Sequence, residues 1–373
     1  MSIVDVKTLT SRHWFDGVSD ELRLLSPFMV VAGFFVLAAA IISHATGLQG
    51  HLQLTLYAEP TYLSLVVGAP FAVVFYYFYL MTVAREKHPI ARIGRDLVDY
   101  ILAPRALLSL VISIVAISYF ISAFTSVKSM IASLNPFYLD PALAKIDEFI
   151  HFGIQPWRIT HFFFHDFISA MVINVAYNIW FFIIWGYAFC QILALAGREH
   201  RAHFLLSFVL CWTVVGAILA VLLSSAGPCY FGKVTHLPDP FAPLMQQLYA
   251  IDAPQAASGS YWHLWALSTQ ENLWTNQFLS TTSLGSGISA MPSMHVSMAF
   301  LLAFSARKIS RWFGGIMLAY AIIIAFGSVY LGWHYAIDGY VSIVATYIIW
   351  RLSGLLIGWM SQRRNVMALA TEN

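Results

Sequence analysis

Charged residues are scarce in this sequence. Only 10% of its 373 residues are Asp, Glu, Lys or Arg, whereas 59% are hydrophobic. A soluble domain carries roughly 25% charged residues, so this composition excludes an ordinary soluble protein and predicts an integral membrane protein. The few basic residues form no patch of the kind that binds nucleic acid.

Cysteines and repeats are equally scarce. The three cysteines are Cys190, Cys211 and Cys229, and none has the spacing of a metal-ligand set. This argues against a disulfide framework or a zinc site. The sequence also lacks the internal repeats that are typical of transporters, which disfavours that class.

What the sequence does have is a series of long apolar runs. They predict an all-α integral membrane protein with about eight transmembrane helices. The predicted spans are residues 27–44, 61–84, 106–126, 167–194, 203–225, 292–306, 310–331 and 334–360. Of the long connections, segment 127–166 is predicted to form helices at the membrane surface, and segment 226–291 to form a cap.

Basic residues are distributed unevenly between the two sides of these spans. By the positive-inside rule the richer side is cytoplasmic, so both termini are predicted to lie in the cytoplasm. The starts of the sixth and eighth spans would then face the periplasm, lumen or exterior. Of the 20 Lys and Arg residues, that non-cytoplasmic side carries only Lys128, Lys145, Arg158 and Lys233.

Two short motifs place ionisable residues beside apolar runs. They are Pro292-Ser293-Met294-His295 and His334-Tyr335-Ala336-Ile337-Asp338. Ionisable residues are costly in a membrane and mark functional sites. On a helix, the spacing of His334 and Asp338 would put both on one face, where a carboxylate orients an imidazole. With His295 and Ser293 elsewhere in the sequence, the set could provide a nucleophile, its orienting group and a general acid.

At these residues the sequence resembles the type 2 phosphatidic acid phosphatase (PAP2) superfamily. The family's Pro-Ser-Gly-His motif corresponds to residues 292–295, and its His-x-x-x-Asp motif to residues 334–338. The variant is most similar to the inositol phosphorylceramide synthase branch, which also has a larger apolar residue in place of the Gly and a His-Tyr pair before the Asp. The resemblance implies a six-helix catalytic core in 106–360, after an accessory region in 1–105 and before a cytoplasmic tail in 361–373.

The sequence departs from the family where phosphate-holding cations belong. The family's third motif usually opens with Ser-Arg, but Gly327 and Ser328 stand there. Its first motif, Lys-x6-Arg-Pro, retains Lys233 and has Pro240 at the Arg position. Such degenerate motifs fit the synthase-like branch better than a simple phosphomonoesterase.

The resemblance also implies a role for each candidate residue. His334 would attack phosphorus to form a phosphohistidine, Asp338 would hold its tautomer, and His295 would protonate the leaving oxygen and then deprotonate the acceptor. The remaining candidates would bind substrate: Ser293, Met294, Lys233, Gly227, Arg158 and Tyr330. The scheme requires neither a metal nor another cofactor.

The acceptor decides the activity. A lipid or glycan hydroxyl would make the protein a lipid phosphotransferase, which is the preferred interpretation. Water would make it a phosphatase of a phosphatidate or an isoprenyl pyrophosphate, and a coincidental His/Asp cluster would leave a transporter or binding protein. The expected partners are a lipid substrate and the bilayer, while the donor, the acceptor and the oligomeric state stay open.

Several candidates also have structural explanations. These are a surface lysine for Lys233, a helix stop for Gly227-Pro228, an amphipathic surface helix for Asp147 and His151, and ordinary helical spacing for His161 and His165.

The charge asymmetry makes a prediction about topology. Single cysteines placed in 245–285, in a background without the three native cysteines, should react with an impermeant thiol reagent on intact cells. Cysteines in 86–100 should react only after the membrane is permeabilised. The reverse pattern would invert the topology and move the site to the cytoplasmic side.

Overall fold

A computed structural model describes residues 11–82, 84–194, 197–277 and 282–371. Within these ranges every regular element is helical, which confirms the predicted all-α class. Several predicted regions extend beyond the described residues: the N-terminal residues 1–10, cap residues 278–281, positions 83 and 195–196 at span ends, and tail residues 372–373.

The described helices follow one another in a single series. In chain order they are α1 (Ser11–Ala45), α2 (Ala58–Thr82), α3 (Pro89–Ile101), α4 (Pro104–Leu134), α5 (Asp140–Ile150), α6 (Pro156–Phe163), α7 (Phe167–Asn178), α8 (Trp180–Leu193), α9 (Arg198–Thr213), α10 (Ala220–Leu222), α11 (Phe231–Thr235), α12 (Ala242–Ala257), α13 (Trp265–Asn276), α14 (Met294–Ile309), α15 (Arg311–Tyr330) and α16 (Ala336–Thr371). A π-helical turn, Val214–Leu219, joins α9 to α10.

Seven helical stretches of the described chain are long and apolar enough to cross a membrane. They correspond to seven of the eight predicted spans. The remaining predicted span, the sixth along the chain at 292–306, is α14, which has 16 residues. At the usual rise it is about 24 Å long, shorter than a hydrocarbon core of roughly 30 Å. It packs among α9, α15 and α16. Its apolar sequence is therefore explained by burial against these helices rather than by contact with lipid.

Three predicted boundaries differ from the structure. The first span begins well before residue 27, because α1 runs from Ser11 with Pro27 inside it. Residues 127–134, predicted to lie on the membrane surface, continue α4. The fourth span is two helices, α7 and α8, which break at Ile179. This break places residues from both helices against the site described below.

The accessory helix α1 is integrated into the helix bundle. Leu25, Phe28, Ala32, Phe35 and Ala39 are all nearly inaccessible to solvent and recur at helical spacing. They form a stripe that packs on α4 and α9. By contrast, α2 has little buried surface, and its apolar side chains face outward as expected for a lipid-facing helix.

A buried ion cluster connects α1 to α9. Glu21 is 2% exposed and pairs with Arg198 at 2.7 Å and with the buried Arg201. The single carboxylate therefore lies between two guanidinium groups that would otherwise repel each other, and it compensates part of their charge.

Glu21→Gln should destabilise the protein, because removal of one partner leaves buried cations uncompensated at a cost of about 3–5 kcal/mol. The expected result is a lower midpoint of thermal unfolding in detergent. Asp20→Asn, at the half-buried preceding position, is the matched control. Equal midpoints for the two variants would contradict a stabilising role of the cluster.

Candidate active site

His334 lies in the tight connection between α15 and α16. The backbone N–H groups of Trp333 and His334 both donate to the carbonyl of Ser328, at 3.0 and 3.1 Å, and Gly332 adopts a φ of +74°. The spacing of His334 and Asp338 predicted that both would lie on one face of a helix. In the structure α16 begins only at Ala336, so His334 precedes the helix. The first turn of α16 nevertheless brings the two side chains together.

The partners of His334 define its tautomer. Its Nδ1 lies 2.8 Å from the carbonyl oxygen of Ala290 and 3.4 Å from Oδ2 of Asp338. A carbonyl oxygen only accepts, so Nδ1 carries the proton and Nε2 keeps its lone pair. The carbonyl is the nearer partner, and Asp338 shares with it the role that the sequence predicted for Asp338 alone.

Asp338 is fully buried, and the start of α16 orients it. Its Oδ2 also accepts a hydrogen bond from the backbone N–H of Tyr335 at 3.0 Å. This second bond holds the carboxylate beside the imidazole. A buried carboxylate next to Nδ1–H is well placed to stabilise positive charge that develops on His334.

His295 faces His334 from the first turn of α14. Their ring centroids are 6.2 Å apart, and both imidazoles line the same cavity. Tyr177 stacks on the His295 ring at 4.5 Å, and Trp180 packs on it at 4.2 Å. Trp180 also donates from Nε1 to the His295 carbonyl at 2.9 Å. The break between α7 and α8 allows both aromatic side chains to reach the same imidazole.

Ser293 and Met294 lie at the start of α14. The fully buried Ser293 is the N-cap, and its hydroxyl accepts from the N–H of Val296 at 3.4 Å. Met294 lines the cavity, next to Gly216 of the π-helical turn. A Cβ on Gly216 would lie 2.9 Å from the Met294 sulfur, so glycine permits this close approach.

Asp140 of α5 organises the loop that follows α10. It is fully buried and accepts hydrogen bonds from the Ser225 hydroxyl, the N–H groups of Ala226 and Gly227, and the Tyr335 hydroxyl, all at 2.9–3.0 Å. The Ser225 carbonyl in turn accepts from the Ala290 N–H at 2.8 Å. Asp140 therefore positions, through this loop, the residue that holds His334.

Asp147, seven residues after Asp140 in α5, caps the start of α16. Its two carboxylate oxygens accept from the N–H groups of Ala336 and Ile337 at 2.6 and 2.9 Å. Burial raises the pKa of the Asp147 carboxyl, while these two N–H groups act in the opposite direction. Its neighbour His151 bonds the Asp147 carbonyl and the Tyr340 hydroxyl. The sequence left two explanations for Asp147 and His151, a function or an amphipathic surface helix. In the structure both residues support the start of α16, next to the site.

Gly227 and Tyr330 occupy structural positions. Gly227 has a φ of +101°, and a Cβ there would lie 2.6 Å from the Trp333 carbonyl oxygen. Tyr330 is fully buried and stacks on His161 at 4.1 Å, while Nε2 of His161 bonds the Tyr330 carbonyl at 2.9 Å. Burial lowers the pKa of His161. Neither Gly227 nor Tyr330 is among the residues that line the cavity of the two motif histidines.

The two predicted phosphate-binding cations, Lys233 and Arg158, are also not among the residues that line this cavity. Lys233 pairs with Glu271 at 3.3 Å and lies 5.0 Å above the Trp274 ring. Arg158 is exposed and lies over the Trp157 ring. By contrast, Lys128 of α4 lines the cavity together with His295 and His334.

The cavity lined by His295 and His334 has a volume of about 370 Å³ and is rich in aromatic side chains. α13 and residues 285–289 of the cap contribute to its lining. Towards α2, α4 and α8 it adjoins a larger apolar groove of about 680 Å³. Cavity and groove share Tyr57, Ile121, Phe181, Trp185 and Gly285. The site therefore borders a groove between membrane-spanning helices.

Sequence reasoning missed the roles of Asp140 and Asp147. Aspartates in an amphipathic surface helix are ordinarily explained by solvent. The one available signal was that both lie in a segment rich in apolar and aromatic residues, where buried carboxylates require several donors.

Comparison with known proteins agrees with this geometry. A sequence profile of the PAP2 superfamily matches residues 141–352, more than half of the chain, and the protein therefore belongs to that superfamily. Its members carry out phosphatase or phosphotransferase chemistry. No curated protein and no solved structure matches the chain. The match includes both histidine motifs and begins after α4, so Lys128 lies outside it.

Asp147→Asn should loosen the start of α16, because an amide has a single acceptor oxygen and one buried N–H loses its partner at a cost of about 1–3 kcal/mol. We expect a lower unfolding midpoint and faster hydrogen exchange at residues 336–340, measured by mass spectrometry. The control is Glu148→Gln at the exposed neighbouring position. Identical exchange in the two variants would mean that Asp147 does not cap α16.

Proposed function

We propose that this protein is a membrane lipid phosphotransferase of the inositol phosphorylceramide synthase-like type. It would move a phosphoryl-headgroup from a phospholipid or lipid-linked donor to a hydroxyl acceptor. The observation that supports this most is the pairing of a tautomer-fixed His334 with His295 at 6.2 Å in one cavity. A nucleophile and a proton donor on either side of one phosphoryl group are what a two-step transfer requires.

In the first step Nε2 of His334 attacks phosphorus, and the bond from phosphorus to the leaving oxygen breaks. Protonated His295 gives its proton to that oxygen, and the Asp338 carboxylate balances the charge on the phosphohistidine ring. In the second step neutral His295 removes the proton of the acceptor hydroxyl, which attacks phosphorus and releases His334. N–H groups at the start of α14 lie at the positive end of its dipole and would stabilise the phosphate oxygens.

The adjoining groove supports a lipid as substrate. It is lined mostly by apolar and small residues of α2, α4 and α8, and it shares lining residues with the cavity that both histidines line. A hydrocarbon chain would occupy the groove while the phosphate lies between the histidine rings. A soluble phosphate ester would have no use for such a groove.

Two features favour transfer over hydrolysis. Ala266, Thr269 and Leu273 of the cap line the cavity, and a cap that excludes water would favour an alcohol as acceptor. Met294 occupies space beside His295 that the Gly of the common motif would leave open.

The second candidate is hydrolysis of a phosphatidate or an isoprenyl pyrophosphate, since the same two histidines can use water as the acceptor in place of an alcohol. In either case we place the site on the non-cytoplasmic side of the membrane.

The decisive experiment is to incubate the purified protein with lipid extracts whose phosphate is labelled and to follow the label by mass spectrometry. We expect the label on a new lipid. His334→Gln and His334→Ala should abolish its appearance while they leave the unfolding midpoint near that of the wild type, because no other group can accept the phosphoryl unit. His165→Gln, at an exposed position outside the cavity, is the control.

Each other outcome has a defined meaning. Free labelled phosphate without a new lipid would establish the hydrolytic alternative. Wild-type turnover by a folded His334→Gln variant would rule out the phosphohistidine. The absence of any conversion across broad lipid extracts would favour a non-enzymatic transporter or binding protein.

A further inference from the structure

We propose that Lys128 of α4 holds the phosphate of the donor, in place of the cations that the family's motifs supply. The identity of the ligand rests on the proposed phosphotransferase function. The location of the cation rests on the structure alone, and the experiment below separates the two.

The site requires a cation that its motifs do not provide. A phosphate in a low-dielectric cavity is very costly unless a positive charge compensates it. Where the third motif usually has Arg, Ser328 is buried and donates its hydroxyl to the Ala325 carbonyl at 2.8 Å. Lys233 of the first motif pairs with Glu271 at 3.3 Å and does not line the cavity. Both usual sources of charge are therefore absent from the cavity.

Lys128 is the basic residue that lines the cavity within the described part of the chain. It shares this cavity with His295, the proposed general acid. No carboxylate lies within ion-pair distance of its ammonium group among the described residues. The cavity therefore contains a cation without a counterion beside the two histidines, which is the complement of an anionic ligand.

The surrounding structure encloses the stem of Lys128. Gly287 adopts a φ of +93°, and a Cβ there would lie 2.5 Å from the Lys128 carbonyl oxygen and 2.9 Å from its Cγ. The same stretch of the cap is attached to α4 by a 2.7 Å hydrogen bond between Thr282 and Ser129. Thr282 also donates to the His51 carbonyl at 2.7 Å. Loop and helix thus hold the lysine against the cavity at a point where only glycine fits.

This arrangement accounts for the degenerate motifs. During phosphoryl transfer negative charge spreads over the non-bridging oxygens, and a point charge stabilises it without strict geometry. An ammonium group from any wall of the cavity can serve, provided that it reaches those oxygens. Here it comes from α4, a helix that precedes the segment matched by the superfamily.

The test measures binding of inorganic phosphate by the shift of thermal unfolding with phosphate concentration, on the full-length protein in detergent. Lys128→Gln and Lys128→Met should weaken binding about 10- to 100-fold, as expected for a lost hydrogen bond to a charged group. Lys128→Arg should stay within about threefold of the wild type, since it keeps the charge. Lys233→Gln, Arg158→Gln and Lys145→Gln are matched charge-removal controls and should bind as the wild type does.

A second readout separates a binding lysine from a structural one. Without phosphate, Lys128→Met should be at least as stable as the wild type, because it removes an uncompensated charge and keeps the apolar stem. A large loss of stability in that variant would indicate a structural role and overturn the proposal.

The remaining outcomes also decide the question. Unchanged phosphate affinity in Lys128→Gln, beside a loss in Lys233→Gln or Arg158→Gln, would move the phosphate contact to that residue. A wild type that phosphate does not stabilise would overturn the proposal outright. If phosphate binding depends on Lys128 but no lipid is converted, the proposed function fails while the assignment of the cation stands.

Discussion

The hydrogen bond from Nδ1 of His334 to the Ala290 carbonyl is the interaction on which the rest of the site depends. It leaves Nε2 unprotonated toward the cavity, and a nucleophilic imidazole needs this tautomer. Ala290 can accept this bond only because its own N–H is anchored to Ser225, which Asp140 holds. The reactive ring is therefore positioned by a helix that makes no contact with substrate in the proposed mechanism.

Burial strengthens each of these hydrogen bonds and also raises the cost of losing one of their partners. Asp140, Asp147 and Asp338 are almost inaccessible to solvent, and each accepts hydrogen bonds from named donors. In a medium of low polarity such bonds are stronger than in water, and a missing partner is correspondingly costly. The helix α5, which the sequence placed at the membrane surface, supplies two of the three carboxylates. It is best understood as the scaffold of the site.

The histidines and the cation obey different physical requirements. His334 and His295 must face one phosphorus atom within narrow limits of distance and angle, so they stay in recognisable motifs. A cation acts through a field that falls slowly with distance and has weak angular demands. The cation can therefore be supplied by different helices or loops. In this protein Lys128 of α4 lines the cavity, whereas Lys233 pairs with Glu271. The proposed site thereby takes its cation from α4, the first helix of the predicted catalytic core.

The sequence by itself determined what local chemistry can encode. Long apolar runs predicted the helices and the membrane, and two motifs predicted that His334, Asp338 and His295 would meet. Tertiary structure alone decided that α14 lies among α9, α15 and α16, that Asp140 and Asp147 hold loops more than 80 residues away in the chain, and that Lys128 rather than Lys233 lines the cavity. These outcomes depend on which distant groups become neighbours when helices pack, and no periodicity within one segment carries that information.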